Sequence, residues 1–379
     1  MRNLVLSSRR TRTGCSVLAL ATVMLVGATP AAAQSLLGSG TFATNGAGSA
    51  GITTTPTTTT ITVNPGQSVI DWTPTDNATG GGTIGFQLGG TTATFNSTNN
   101  FAVLNRINQT DISRAISMNG TINSRINGQQ GGSLYFYSPG GFLLGSGSVI
   151  NVGSLVLSAS PITVDGTGNF INGVNNQVIF GQAPRATAAI VTTAGSTINA
   201  SDGDAYVAMV APRVQHGGSI TVNGSAALVA AEAATINFSP SGLFDIQVSA
   251  GSTDTNGIAA TGTITGAAST GAADIHRAYL VAVPKNSAMT MLIGAGSNLG
   301  FDVAGAANVV GNTVVLSAGH DISNGGIGQV STGSTAAAVA NLQVTDSNFT
   351  SAVVGEATGY AHLSAFNPMR FYSDATIHA

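Results

Sequence analysis

The sequence predicts an all-β protein, a single-stranded right-handed parallel β-helix (solenoid) with an N-terminal β cap. Three observations predict it. Of 379 residues 50 are Gly and only 7% are charged, where a soluble domain ordinarily carries about 25%. Two Glu (Glu232, Glu356) and one Lys (Lys285) cannot furnish the polar face of long amphipathic helices. A unit reading Gly-Ser-x-Ile-x-x-x-Gly, followed by a short aliphatic run, recurs in one sense along the chain. A hydrophobic content of 43% excludes a wholly disordered chain. Glycine without a three-residue period excludes collagen, and 12 basic against 15 acidic side chains argues against a charged nucleic-acid binder.

Residues 1–33 read as an export leader. Arg2, Arg9, Arg10 and Arg12 form a basic start, and residues 15–26 an apolar stretch of h-region length, too short to span a bilayer comfortably. Ala31-Ala32-Ala33 offers an A-x-A site, with cleavage between Ala33 and Gln34. Ser8-Arg9-Arg10 hints at twin-arginine export, but Arg12 stands where such leaders want a large apolar residue, so general secretion is preferred. Cys15 is not in a lipoprotein context. Cleavage would remove four positive charges, taking the net charge from −3 to −7, and with them the single cysteine. Stability beyond the cell would then owe nothing to disulfides.

Residues 34–60 are a low-complexity Gly/Ser/Thr lead-in or a first edge strand. Residues 61–130 are less repetitive, and their aromatics Trp72, Phe86, Phe95 and Phe101 are expected to plug the N-terminal end of an apolar interior, because raw strand edges invite association. Beyond them the repeat appears at Gly147–Gly153, Gly195–Ala200 and Gly218–Gly224, with Ile150, Ile198 and Ile220 in equivalent places. Reading the larger spacing as two steps sets a period of about 22–24 residues. That is one coil of a parallel β-helix: inward Ile, Val, Leu and Ala stack in columns, turns carry Gly and Asn, and outward positions are Ser, Thr and Asn. An antiparallel sandwich or barrel is the alternative, disfavoured by the single sense of the repeat.

Five blocks, in order, carry a family resemblance. They are Val69-Ile70-Asp71-Trp72, Ala102-Val103-Leu104-Asn105-Arg106-Ile107, Ile116-Ser117-Met118-Asn119-Gly120-Thr121-Ile122, the stretch from Gly132 through Ser138-Pro139-Gly140-Gly141 to Gly145, and the stretch from Val149 to Ser160. Together they resemble the haemagglutination-activity, or two-partner secretion, domain of filamentous haemagglutinin-type exoproteins, over residues 61–180; residues 181–379 continue as β-helix repeats. The family's Asn-Pro-Asn-Gly turn stands here as Ser138-Pro139-Gly140-Gly141, which keeps the turn chemistry and loses the side-chain amides. The resemblance implies a transient partner, an outer-membrane β-barrel transporter. Asn105, Arg106, Ile107, Ser138, Pro139, Gly140 and Gly141 are implied as its recognition motif. It also implies an extracellular or cell-surface location, adhesin-like binding to a host or neighbouring-cell receptor or glycan, and no cofactor.

Enzymatic chemistry finds little support. Many parallel β-helices degrade polysaccharides, so Asp202 and Asp204 are the candidate carboxylates, but a turn in which Asp caps local N–H groups explains them far better, since no basic groove accompanies them. Gly319-His320-Asp321 lacks a paired Asp motif, and Gly294–Gly300 is one residue too long for a dinucleotide loop. The five His show no metal spacing. The chain is therefore read as a non-enzyme, with a β-helix carbohydrate-active enzyme (polysaccharide lyase or hydrolase) as the alternative. The end at Ala379 shows no obvious cap and suggests a truncated chain, unless residues 360–379 form a cover strand carrying Phe366, Phe371 and Tyr372.

Overall fold

Short runs of three to six strand-forming residues, each ended by Gly, Asn, Asp or Ser, leave the chain no way to bury its apolar side chains except by stacking one run on the next. The computed structural model describes residues 36–378, apart from 174–175, 240–243, 271–274, 303–311, 323–328, 333–337, 365–369 and 372–374, with side chains to residue 363. The leader with its Ala33–Gln34 site lies outside the described residues, as do Phe366 and Tyr372. All regular structure described is strand.

The strands wind into three columns. One is a nine-stranded parallel sheet running from Ile84–Gln87 to Ala361–Ser364. The second stacks Thr121–Ile126, Val149–Val152 and the first halves of Thr197–Ala211 and Ser219–Ala230. The third stacks Gly66–Pro74, Phe101–Ile107, Ser133–Tyr137, Ser154–Ser158 and the second halves of those two long strands. Every pairing among these rungs is parallel, as a solenoid requires.

The interior is a set of ladders. Ala93, Ile122, Ile150, Ile198, Ile220, Ile264, Leu299 and Phe349 occupy one register across successive rungs, and each is at most 1% exposed. Ile116, Phe142, Ile190, Val214 and Ile258 make a second such column. A fully buried side chain of this size stabilises the fold by roughly 1.5–3 kcal/mol. The equivalence of Ile150, Ile198 and Ile220 therefore holds, but the expected constant period does not. Ile150 pairs directly with Ile198, so the 48-residue separation of these two rungs is a single coil, not two. The next coil is short, and the one after spans 44 residues.

The extra length goes outside the solenoid. Gln177–Phe180, Ala233–Phe238 and Phe244–Ala250 pair antiparallel, and Val330–Ser331 joins them in a four-stranded sheet. This sheet covers the outer side of the third column. Leu104, Tyr135, Val156, Ala208, Val210, Val229, Tyr279 and Val315 point outward there and pack with Phe180, Ile236, Phe238, Phe244 and Ile246 in an apolar layer of its own. The expectation of Ser, Thr and Asn at all outward positions fails on this column. Its unbroken runs, such as Ala205–Ala211, are apolar because both their faces are buried. On the second column the expectation holds: Asn199 donates to Asn151 Oδ1 at 2.9 Å, and Asn151 to Asn123 Oδ1 at 3.1 Å, an amide ladder across three rungs.

The cap also departs from expectation. Residues 58–126 are regular rungs. The covering strands come from the Gly/Ser/Thr segment before them: Gly38–Thr44 runs antiparallel to Gly66–Pro74, and Gly51–Thr54 antiparallel to Thr58–Thr62. An N-terminal rung has one unpaired edge, and a chain doubling back on it satisfies that edge in the antiparallel sense. Glycine suits this role. A Cβ at Gly40 would stand 2.7 Å from the Trp72 ring, so the bare backbone lies against the indole. The aromatics do fill the interior of these rungs, with Trp72 and Phe86 edge to face at 5.6 Å, and Trp72, Phe86 and Phe95 at most 1% exposed.

Candidate functional site

The residues singled out in sequence fall on two rungs of the third column and the turn that leaves it. Asp71 pairs in register with Arg106 and Ile70 with Asn105; Phe136 and Tyr137 sit on the other side of Asn105 and Arg106. Alternation along Phe101–Ile107 then decides their fates. Asn105 and Ile107 point inward and are fully buried. The Asn105 Oδ1 accepts the Trp72 indole N–H at 2.9 Å, and its Nδ2 donates to the Tyr135 carbonyl at 3.2 Å. Arg106 points outward and makes a forked pair with Asp71, at 2.7 and 2.8 Å. Both side chains are about one third exposed.

Ser138-Pro139-Gly140-Gly141 is a buried corner between the third column and the nine-stranded sheet. The Gly141 N–H donates to the Ser138 carbonyl at 3.0 Å and closes the turn. Positive φ occurs at Gly141 (80°), one residue later than the turn chemistry implied. Gly140 is required for space: a Cβ there would lie 2.0 Å from the Arg114 carbonyl, and one at Gly141 2.0 Å from the Ala189 carbonyl. The turn is wedged between the coils before and after it. The Ser138 hydroxyl donates to Gln109 Oε1 at 2.6 Å, and Gln109 Nε2 donates to the Arg114 carbonyl at 2.5 Å. Gln109 thus ties the two motifs together. Sequence reading passed over it because its link to Ser138, 29 residues along the chain, exists only once the coils stack. Of the seven residues, only Arg106 presents a functional group to solvent; the other six build the fold at this corner.

A groove of about 460 Å³ lies beside the same rungs, between the loop at Asp202–Asp204 and residues near Ile171 and Asn176, with Gln67, Ser133, Ser154 and Tyr206 among its walls. The structure does bring Asp202 and Asp204 to one groove. Burial pushes the Asp202 carboxyl above the ordinary carboxylate range, against the opposing pull of the Gly132 N–H. That contact makes Asp202 a strap across the corner, reaching past Gly153 to an earlier rung. Asp204 adopts a left-handed backbone (φ 59°), as a turn Asp can. Among the described residues no basic side chain lines the groove. His320 pairs with Glu356 at 2.7 Å. Among the described residues no three His, Cys, Asp or Glu side chains converge as a metal site would require.

No protein-family model matches the chain, and no curated protein matches it. Among solved structures the chain is similar to the HMW1 secretion domain from Haemophilus influenzae, with 14% identity and a TM-score of 0.43 over 90% of this chain and 73% of that one. It is also similar to the filamentous hemagglutinin secretion domain, with 13% identity and a TM-score of 0.41 over 91% of this chain and 99% of that one. Both are secretion domains. The second bears the name of the family that the five sequence blocks resemble. At these values the likeness adds nothing to the parallel solenoid already evident in the strand registers.

Proposed function

We propose that the chain is a two-partner secretion exoprotein, delivered to the periplasm by its leader. An outer-membrane β-barrel transporter then carries it out, and it acts at the cell surface or beyond as an adhesin-like solenoid. The observation that carries this reading is the placement of the resembling blocks. Val69–Trp72, Ala102–Ile107, Leu134–Tyr137 and Leu155–Ser158 are consecutive rungs of one column, in register, directly behind the antiparallel cap.

The physical chemistry is consistent with that route. The only cysteine is Cys15, in the leader, so no disulfide loop obstructs threading. Each rung depends mainly on its immediate neighbours, so the solenoid can form coil by coil as it emerges, and each added coil opposes back-sliding. Since Asn105, Ile107 and the Ser138–Gly141 corner are buried once folded, the transporter would read them before the rungs close.

The test is co-expression with an outer-membrane transporter of the two-partner secretion type, followed by assay of the culture medium. Folded chain should appear outside only when the transporter is present. Release without it, or retention with it, overturns the reading. The enzymatic alternative has one observation in its favour, the shared groove of Asp202 and Asp204. Loss of a polysaccharide-cleaving activity on Asp202→Asn would establish that alternative.

A further inference from the structure

In a chain this poor in charge, three of the described cations sit close against an anion: Arg106 meets Asp71, Arg114 meets Asp76 and Lys285 meets Glu232. Two of the remaining arginines, Arg185 and Arg213, line one trough. Arg185 donates only to a backbone oxygen, that of Ser113, at 3.2 Å. Arg213 stands 3.6 Å from Asp254, too long for a good hydrogen bond, and its Nε is buried with no hydrogen-bond partner. A buried donor left unmade is costly, and a guanidinium presents its N–H groups as a fork that fits a carboxylate or sulfate.

The trough follows from the register of the nine-stranded sheet. Gly141, Ala189 and Arg213 occupy one outward position on successive rungs. The first two are small and leave a low floor; the third closes it with a long cation. Leu143 and Val191, paired in register alongside, give an aliphatic side wall. The space measures about 360 Å³, toward the lower end of the roughly 300–1,000 Å³ of small-ligand sites. Two rung steps span about 10 Å, the reach of a short ligand and not of a polymer groove.

We propose that this trough binds a saccharide of one or two rings bearing a carboxylate or sulfate. Arg185 and Arg213 take the oxyanion, and Leu143 and Val191 meet the C–H face of the ring. The assignment stands apart from the export route and concerns the folded protein alone.

Calorimetric titration of the full folded chain with digalacturonate, with neutral galactobiose and with inorganic sulfate tests it. Digalacturonate should bind saturably and more weakly as salt rises, and galactobiose should not bind. Arg213→Gln and Arg185→Gln should each weaken digalacturonate binding at least tenfold. Ala189→Phe fills the floor from an outward position without removing charge. It should abolish binding while the circular dichroism spectrum and unfolding midpoint stay unchanged. Absence of saturable digalacturonate binding, or equal binding by the three variants, overturns the site. Sulfate binding as tightly as digalacturonate overturns the saccharide assignment.

Discussion

Asn105 separates a structural role from a recognition role. The family resemblance places it in a transporter motif, and the structure places it inside the solenoid, between the Trp72 indole and the Tyr135 carbonyl. Replacing it by Ala strands a buried donor, and each buried polar group left without a partner costs about 1–3 kcal/mol. With the second contact also lost, Asn105→Ala should destabilise the first rungs by about 2–4 kcal/mol. Trp72 is the only tryptophan, so its fluorescence during urea unfolding reports on these rungs alone. Arg106→Ala is the comparison: its pair with Asp71 is one third exposed, and such pairs are worth at most about 1 kcal/mol. The midpoint should therefore fall far more for Asn105→Ala. Removing both polar partners, with Asn105→Leu and Trp72→Phe together, should restore most of the loss when unfolding is followed by circular dichroism. A change below about 0.5 kcal/mol for Asn105→Ala would refute the structural assignment, and failed export of such a stable variant would return Asn105 to the transporter.

Gly141→Ala must adopt a left-handed backbone and push against the Ala189 carbonyl, so it should cost more than about 2 kcal/mol in a denaturant melt, whereas Pro139→Ala should cost less than about 1 kcal/mol. Glu232 sits in a hub where burial raises its carboxyl pKa, but Lys285, Gln182 and Thr253 outweigh that and hold it below the usual value. The stability it contributes is therefore present above the unfolded carboxylate pKa and lost as pH falls through the folded one; Glu232→Gln should flatten the acid limb of a midpoint-against-pH curve. Burial lowers the pKa of His216, whose ring bridges the Thr192 hydroxyl and the Thr263 carbonyl. It is stabilising as the neutral ring and should lose that contribution below about pH 6.5, a loss absent from His216→Gln melts. For export, Ile198→Asp places a carboxylate in a fully stacked column, and release into the medium should fall; undiminished release would remove the coupling of folding to transport.

Much of the solenoid was legible because its cause is local. The equivalence of Ile150, Ile198 and Ile220, the short strands and the Asn ladder all follow from residues that repeat in one sense. The period was misread where the chain leaves the coil. Nothing within the sequence between Ile150 and Ile198 states whether those residues form a second rung or a detour, since strands such as Gln177–Phe180 look alike in either setting. The cap was misplaced for a related reason: Gly38–Thr44 carries a single large apolar residue, Phe42, among Gly, Ser and Thr, and it becomes a strand because Gly66–Pro74 offers an open edge and Trp72 a surface to lie on.

The candidate site divides along the same line. By itself the sequence determined which residues would crowd the early rungs, that the Ser138–Gly141 corner would turn, and that few charges would be available for chemistry. Only the tertiary structure decided that Asn105 faces a tryptophan inside the solenoid, that the third column is covered on its outer side, and that Arg185 and Arg213 line one trough over small residues from different coils. Periodicity fixes which way a side chain points within its own strand. What lies opposite depends on how many residues the chain spends before returning, and in a solenoid with detours that length is set by packing between distant segments.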